Sequence, residues 1–106
     1  MSELLEMIQN LVHANQVRVS AHGYDELEED QIDPRRAIAG VEEAVIVEDY
    51  PEYPKGPCVL VRQTDDRGGY IHVLWGIPEG KSSPAVLVTA YRPDSRWSDD
   101  ALRRLP

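Results

Sequence analysis

Three strand-length apolar runs in the second half of the chain limit its fold more than any other feature. Cys58 to Gln63, Tyr70 to Gly76 and Ala85 to Tyr91 are each six or seven residues long and rich in β-branched and aromatic side chains. Between them lie Thr64-Asp65-Asp66-Arg67-Gly68-Gly69 and Pro78-Glu79-Gly80-Lys81-Ser82-Ser83-Pro84, turn-forming segments too short to carry a helix. Strands joined so briefly run antiparallel. A meander therefore occupies this region, and the β-branched run Ala44-Val45-Ile46-Val47 supplies a strand ahead of it. The proline-rich stretch from Asp49 to Pro57 separates the two as a loop.

The first half reads as helical. Ser2 caps a helix whose Leu4, Leu5, Ile8, Leu11 and Val12 fall on one stripe, and Asn15 ends it. Gln16-Val17-Arg18-Val19-Ser20 alternates as a short half-buried or edge strand does. Residues 21–30 form a short helix that turns Tyr24 and Leu27 inward. Asp33-Pro34 starts another, with Asp as N-cap and Pro at the first position, carrying Ala37, Ile38 and Val41 to about Glu43. Ser98 can cap a last helical turn in the tail. The expected architecture is α+β: two or three N-terminal helices packed on one face of a roughly four-stranded antiparallel sheet. A chain of 106 residues makes this one domain, with helices over about 3–43, sheet over about 44–92 and a short C-terminal tail.

A period of two sorts the strand residues into faces. Val59, Val61, Ile71, Val73, Trp75, Val86 and Val88 are expected beneath the helices. Leu60, Arg62, Tyr70, His72, Leu74, Leu87, Thr89 and Tyr91 line the other face, which combines apolar area with polar groups able to act chemically. Charge is divided as well. Residues 1–54 carry 13 acidic and 3 basic side chains, residues 55–106 carry 6 and 8, and the net is −8. That total weighs against a free-standing nucleic-acid binder, although the later strands can still present a positive surface. The single Cys58 reads as a small core residue, and no metal-ligand spacing, signal peptide or membrane-length segment is present. The expectation is a cytoplasmic protein without metal, cofactor or membrane attachment.

The chemistry-bearing residues fall in three segments: Ser20-Ala21-His22, Tyr70-Ile71-His72-Val73 and Thr89-Ala90-Tyr91-Arg92-Pro93. Together with Leu27, Ile32, Pro34, Tyr50-Pro51 and the valine-rich strands, they resemble the domain of unknown function 4258 family over roughly residues 15–97. That family is similar in layout to the Barnase–EndoU–colicin–RelE group of ribonuclease toxins. The resemblance implies a metal-independent ribonuclease-like or toxin-like protein. In it His22 and His72 act as acid and base, Tyr91 supports them, and Arg62, Thr89 and Arg92 hold the RNA phosphate. Where family members carry basic residues after the first histidine, this chain has Asp25, Glu26, Glu28, Glu29 and Asp30. The acidity supports a different reading: a non-catalytic immunity, antitoxin or regulatory module whose acidic half meets a basic protein partner or, in a homodimer, the positive strands of a second copy.

Overall fold

The computed structural model describes residues 2–106. Its elements in chain order are α1 (Glu3–His13), β1 (Val17–Val19), α2 (Ala21–Glu29), α3 (Pro34–Ala39) with a 3-10 turn (Gly40–Glu43), β2 (Val45–Tyr50), β3 (Cys58–Thr64), β4 (Tyr70–Gly76) and β5 (Ala85–Tyr91). The α+β class holds, and β2 to β5 form the expected antiparallel succession. The sheet, however, has five strands in the order β1-β5-β4-β3-β2, because β1 joins β5 in parallel. Val17, Arg18 and Val19 lie opposite Ala85, Val86 and Leu87. Helices and sheet in between provide the long crossover that a parallel pair needs.

Caps set where the helices begin. The Ser2 hydroxyl accepts from Leu5 N at 3.2 Å, and the Asp33 carboxylate accepts from Arg35 N at 2.9 Å. Asn15 ends α1 with φ 59°, a conformation asparagine tolerates better than most residues. At α2 one hydroxyl serves two purposes. Ser20 Oγ accepts from Gly23 N and donates to Val88 O, both at 2.9 Å, tying the start of α2 to β5. Gly23 permits this contact: a Cβ there would lie 2.8 Å from Leu87 O. Gly23→Ala should therefore cost about 2 kcal/mol as the helix is pushed off the strand, measurable by urea unfolding.

All three helices cover one face. Leu5, Ile8, Leu27, Ile32, Ala37 and Val41 pack there against Val59, Val61, Ile71, Val73, Trp75, Ala85, Leu87 and Ala90. Leu87, rather than Val86 and Val88, belongs to this core. The strict alternation expected for β5 fails at a bulge: Trp75 faces Leu87, but Leu74 faces Thr89, leaving Val88 as the extra residue. Beyond the bulge the alternation is restored with shifted parity, so Thr89 and Tyr91 take the helix-free face as expected. Buried Gln63 completes the core, accepting from Trp75 Nε1 at 2.9 Å and donating to Ala37 O at 2.7 Å. The tail forms no helix. Trp97 and Arg104 pair as an isolated bridge, and Ser98 Oγ instead accepts from Arg103 N at 3.1 Å.

Candidate functional site

The helix-free face gathers four of the six predicted residues, because strand register fixes their neighbours. His72 lies between Arg62 on β3 and Tyr91 on β5, and Thr89 lies opposite Leu74 two residues along β4. The C-terminal tail folds over this row. Arg62 stacks on the Tyr70 ring at 4.4 Å and donates from Nη1 to Asp100 O at 2.8 Å. His72 is fully buried, with the rings of Trp97 and Tyr91 edge-on at 4.4 and 5.2 Å.

Hydrogen bonds determine the state of that imidazole. Ala101 O lies 2.7 Å from Nε2 and can only accept, so Nε2 carries the proton. Nδ1 then accepts from the Tyr91 hydroxyl at 3.1 Å. Burial pushes the His72 pKa below the ordinary 6.5; the bond to Ala101 pulls the other way, and the Arg62 charge adds to the lowering. Burial likewise raises the Tyr91 pKa, against the opposing effect of Arg104 and Arg96. The pair is a neutral phenol donating to a neutral imidazole.

A pH effect follows from the direction of the His72 shift. With the folded pKa lowered, the unfolded chain takes up the proton first. Full stability from this group is present above 6.5, and it is lost as pH falls below 6.5 toward the folded value. The melting temperature should therefore drop between pH 7 and pH 5, and His72→Gln should flatten that part of the curve.

The other two predicted residues lie elsewhere. His22 is in the first turn of α2, with its side chain 65% exposed and Nε2 3.7 Å from Glu26 Oε1. Its helix packs on the opposite face of the sheet from His72, so the structure does not bring the two histidines to one phosphate. Arg92 forms an internal clamp instead of a free cation. Its N–H donates to Asp30 Oδ2 at 2.8 Å, its Nε to Asp30 O at 3.0 Å, and its Nη1 to the buried Asp65 carboxylate. Asp65 also accepts from Arg67 N and Gly69 N at 2.9 and 2.8 Å, closing the β3–β4 turn. Burial pushes the Asp65 pKa up, but the bonds from Arg92 and the two backbone N–H groups outweigh it and leave the carboxyl below 3.8.

Beside the Tyr91–His72 pair a groove of about 280 Å³ is walled by Tyr50, Tyr53, Thr89, Tyr91 and Arg104 over an apolar floor of Leu60 and Leu74. Arg104 also lies over the Trp97 ring at 5.0 Å. Burial is the main cause, and the bond to Glu48 the second, that pushes the Tyr50 pKa up to about 12. Cys58 at the groove's edge is 5% exposed and its thiol pKa is raised, first by burial. This is an unreactive thiol. Among the described residues, no group of three or more His, Cys, Asp or Glu is gathered to hold a metal ion, and no helix is long and apolar enough to cross a membrane.

The helical layer contrasts with this face. Asp25, Glu28 and Glu29 on α2 are exposed and, among the described residues, have no cation within 4.0 Å. The fold is thus a mixed five-stranded sheet under a helical layer, with α2 tied to β5 through Ser20 and Gly23. The chain belongs to the family described as Domain of unknown function (DUF4258), whose model matches residues 19–92. No curated protein and no solved structure matches the chain. Residues 93–106, which cover His72, lie beyond the family match.

Proposed function

We propose that the protein is a non-catalytic binding module that meets a basic protein partner through its acidic N-terminal half. One observation carries this reading: the groups that would move protons or hold phosphate are committed to internal bonds, whereas the exposed Asp25, Glu28 and Glu29 carboxylates of α2 have no cation within 4.0 Å among the described residues. Both His72 nitrogens, the Arg62 guanidinium and the Arg92 guanidinium all have partners within the fold. A residual charge of −10 on residues 1–54 attracts cationic surfaces over a screening length of about 8–10 Å at physiological salt. The test is a pull-down at low and high salt with Glu26, Glu28 and Glu29 changed to Gln. The partner should be lost from the triple variant, and its association with the wild type should slow as salt rises. Equal retention by both proteins at either salt would make the acidic face a solubilising surface only.

A second reading, a metal-independent ribonuclease-like protein, is favoured by the position of Tyr91 at the groove. In that chemistry Tyr91 would take the proton of the ribose 2′-hydroxyl as its own proton passes to His72 Nδ1. The 2′-oxygen bonds to phosphorus, the bond to the 5′-oxygen breaks, and the proton returns through Tyr91 to that leaving oxygen. Arg104, on the groove wall, would hold the phosphate, with Thr89 as a neutral donor. The scheme needs one tyrosine–histidine pair and no contribution from His22.

A further inference from the structure

We propose that the free edge of β2, with the groove between it and α1, is the docking site for an extended segment of a partner protein that is apolar at one end and carries lysine or arginine at the other. The inference rests on the binding-module reading and adds to the α2 contact a separate one, at the other edge of the sheet, that holds an extended part of the partner. Edge strands present unpaired N–H and C=O groups and can accept a further strand. β2 ends the sheet order, with β3 on one side and no strand on the other among the described residues.

Two features make this edge selective. The first is apolar. A groove of about 340 Å³ runs beside the start of β2, between Leu5, Glu6 and Gln9 of α1 and Ala44, Val45 and Ile46. Val45, on the wall of this groove, is 39% exposed, a large apolar side chain left in water. The second is charge. From Ala37 to Pro54 the chain has no lysine or arginine, and Glu42, Glu43, Glu48, Asp49 and Glu52 lie along it. Of these, Glu42 alone has a basic side chain within 4.0 Å among the described residues, His13.

Register divides the edge along its length. Val45 and Ile46, opposite Arg62 and Val61, put apolar side chains on the two faces at its start, and Glu48 and Asp49, opposite Leu60 and Val59, put carboxylates on the two faces after the bulge. A strand added outside β2 would place apolar side chains beside Val45 and Ile46 and basic ones beside Glu48 and Asp49. The two acids after the bulge also disfavour in-register pairing with a second copy of this chain, which would set Glu48 and Asp49 against like charges. The edge repels its own kind and an acidic strand, and it accepts a basic one.

The probe is a short, end-capped, fluorescent peptide with valines at one end and lysines at the other, titrated onto the full chain and followed by anisotropy. Binding should weaken about tenfold in Glu48→Lys/Asp49→Lys, and about tenfold in Val45→Asp, with melting temperatures held near the wild type. It should also weaken at least about tenfold when alternate backbone nitrogens of the peptide are methylated, because a methylated strand cannot complete the ladder. Equal binding of the methylated and plain peptides, or no binding of the plain peptide, would overturn the proposal. Loss of binding in the α2 triple Gln variant with full binding in the β2 variants would also overturn it, while leaving the binding-module reading intact.

Discussion

Replacing His72 by alanine is expected to destabilise the domain by about 3 kcal/mol and to lower its melting temperature by roughly 15 °C. The ring is fully buried between Trp97 and Tyr91, so its removal leaves a cavity under the tail. It also strands the Ala101 carbonyl, which has no other hydrogen-bond partner in the network, and frees the Tyr91 hydroxyl. Against a total stability of about 5–15 kcal/mol for a domain of this kind, the loss is large. Thermal melts at pH 7 measure it, and amide exchange should show the greatest loss of protection in residues 94–105. A histidine serving only as an acid or base would leave the melting temperature where it was.

The second large effect concerns Arg92→Ala, with an expected cost of about 3 kcal/mol. Asp65 is 4% exposed, and removing its guanidinium partner leaves a buried carboxylate with backbone donors alone. The same substitution removes the Nε bond to Asp30 O, so that the backbone N–H of residue 92 on the Asp30 carboxylate remains to tie the end of α2 to the end of β5. Because the folded pKa of Asp65 is lowered, its contribution is complete above pH 3.8 and is lost as pH falls below that value. The variant should lose that part of the acid dependence. Asp65→Ala combined with Arg92→Ala should cost clearly less than the sum of the two single changes, since the residues share one interaction.

Much of this architecture is legible in the sequence, for specific physical reasons. The meander follows from apolar runs split by glycine- and proline-marked turns, and two helix starts from Ser2 and Asp33 at cap positions. Alternation places Arg62, His72, Thr89 and Tyr91 on one face, and the register bears out that grouping. What local pattern could not supply was long-range pairing. The parallel seat of β1 beside β5 depends on a contact across most of the chain, and the bulge at Val88 leaves no mark in the valines and leucine around it. Nor did spacing reveal that α2 lies on the far side of the sheet from His72, which separates His22 from it. Asp65 escaped notice as one acid of a polar turn, though an Asp four residues before a Gly-Gly end is well placed to bond backbone N–H groups. Ser20 and Gly23 did carry a signal, a cap followed three residues later by a glycine inside a helix, where a glycine otherwise costs stability.

The committed state of His72 separates the two functional readings, and cleavage of single-stranded RNA tests it most directly. Wild type and Tyr91→Phe, both checked for folding by thermal melt, would be incubated with labelled RNA after removal of contaminating nuclease. Tyr91→Phe removes only the hydroxyl that reaches both the groove and His72 Nδ1, so the fold is expected to survive at a cost of about 1 kcal/mol. The binding-module account predicts no cleavage above a protein-free control by either protein. Cleavage by the wild type that falls about 100-fold or more in a folded Tyr91→Phe variant would contradict it and assign the tyrosine–histidine pair to catalysis.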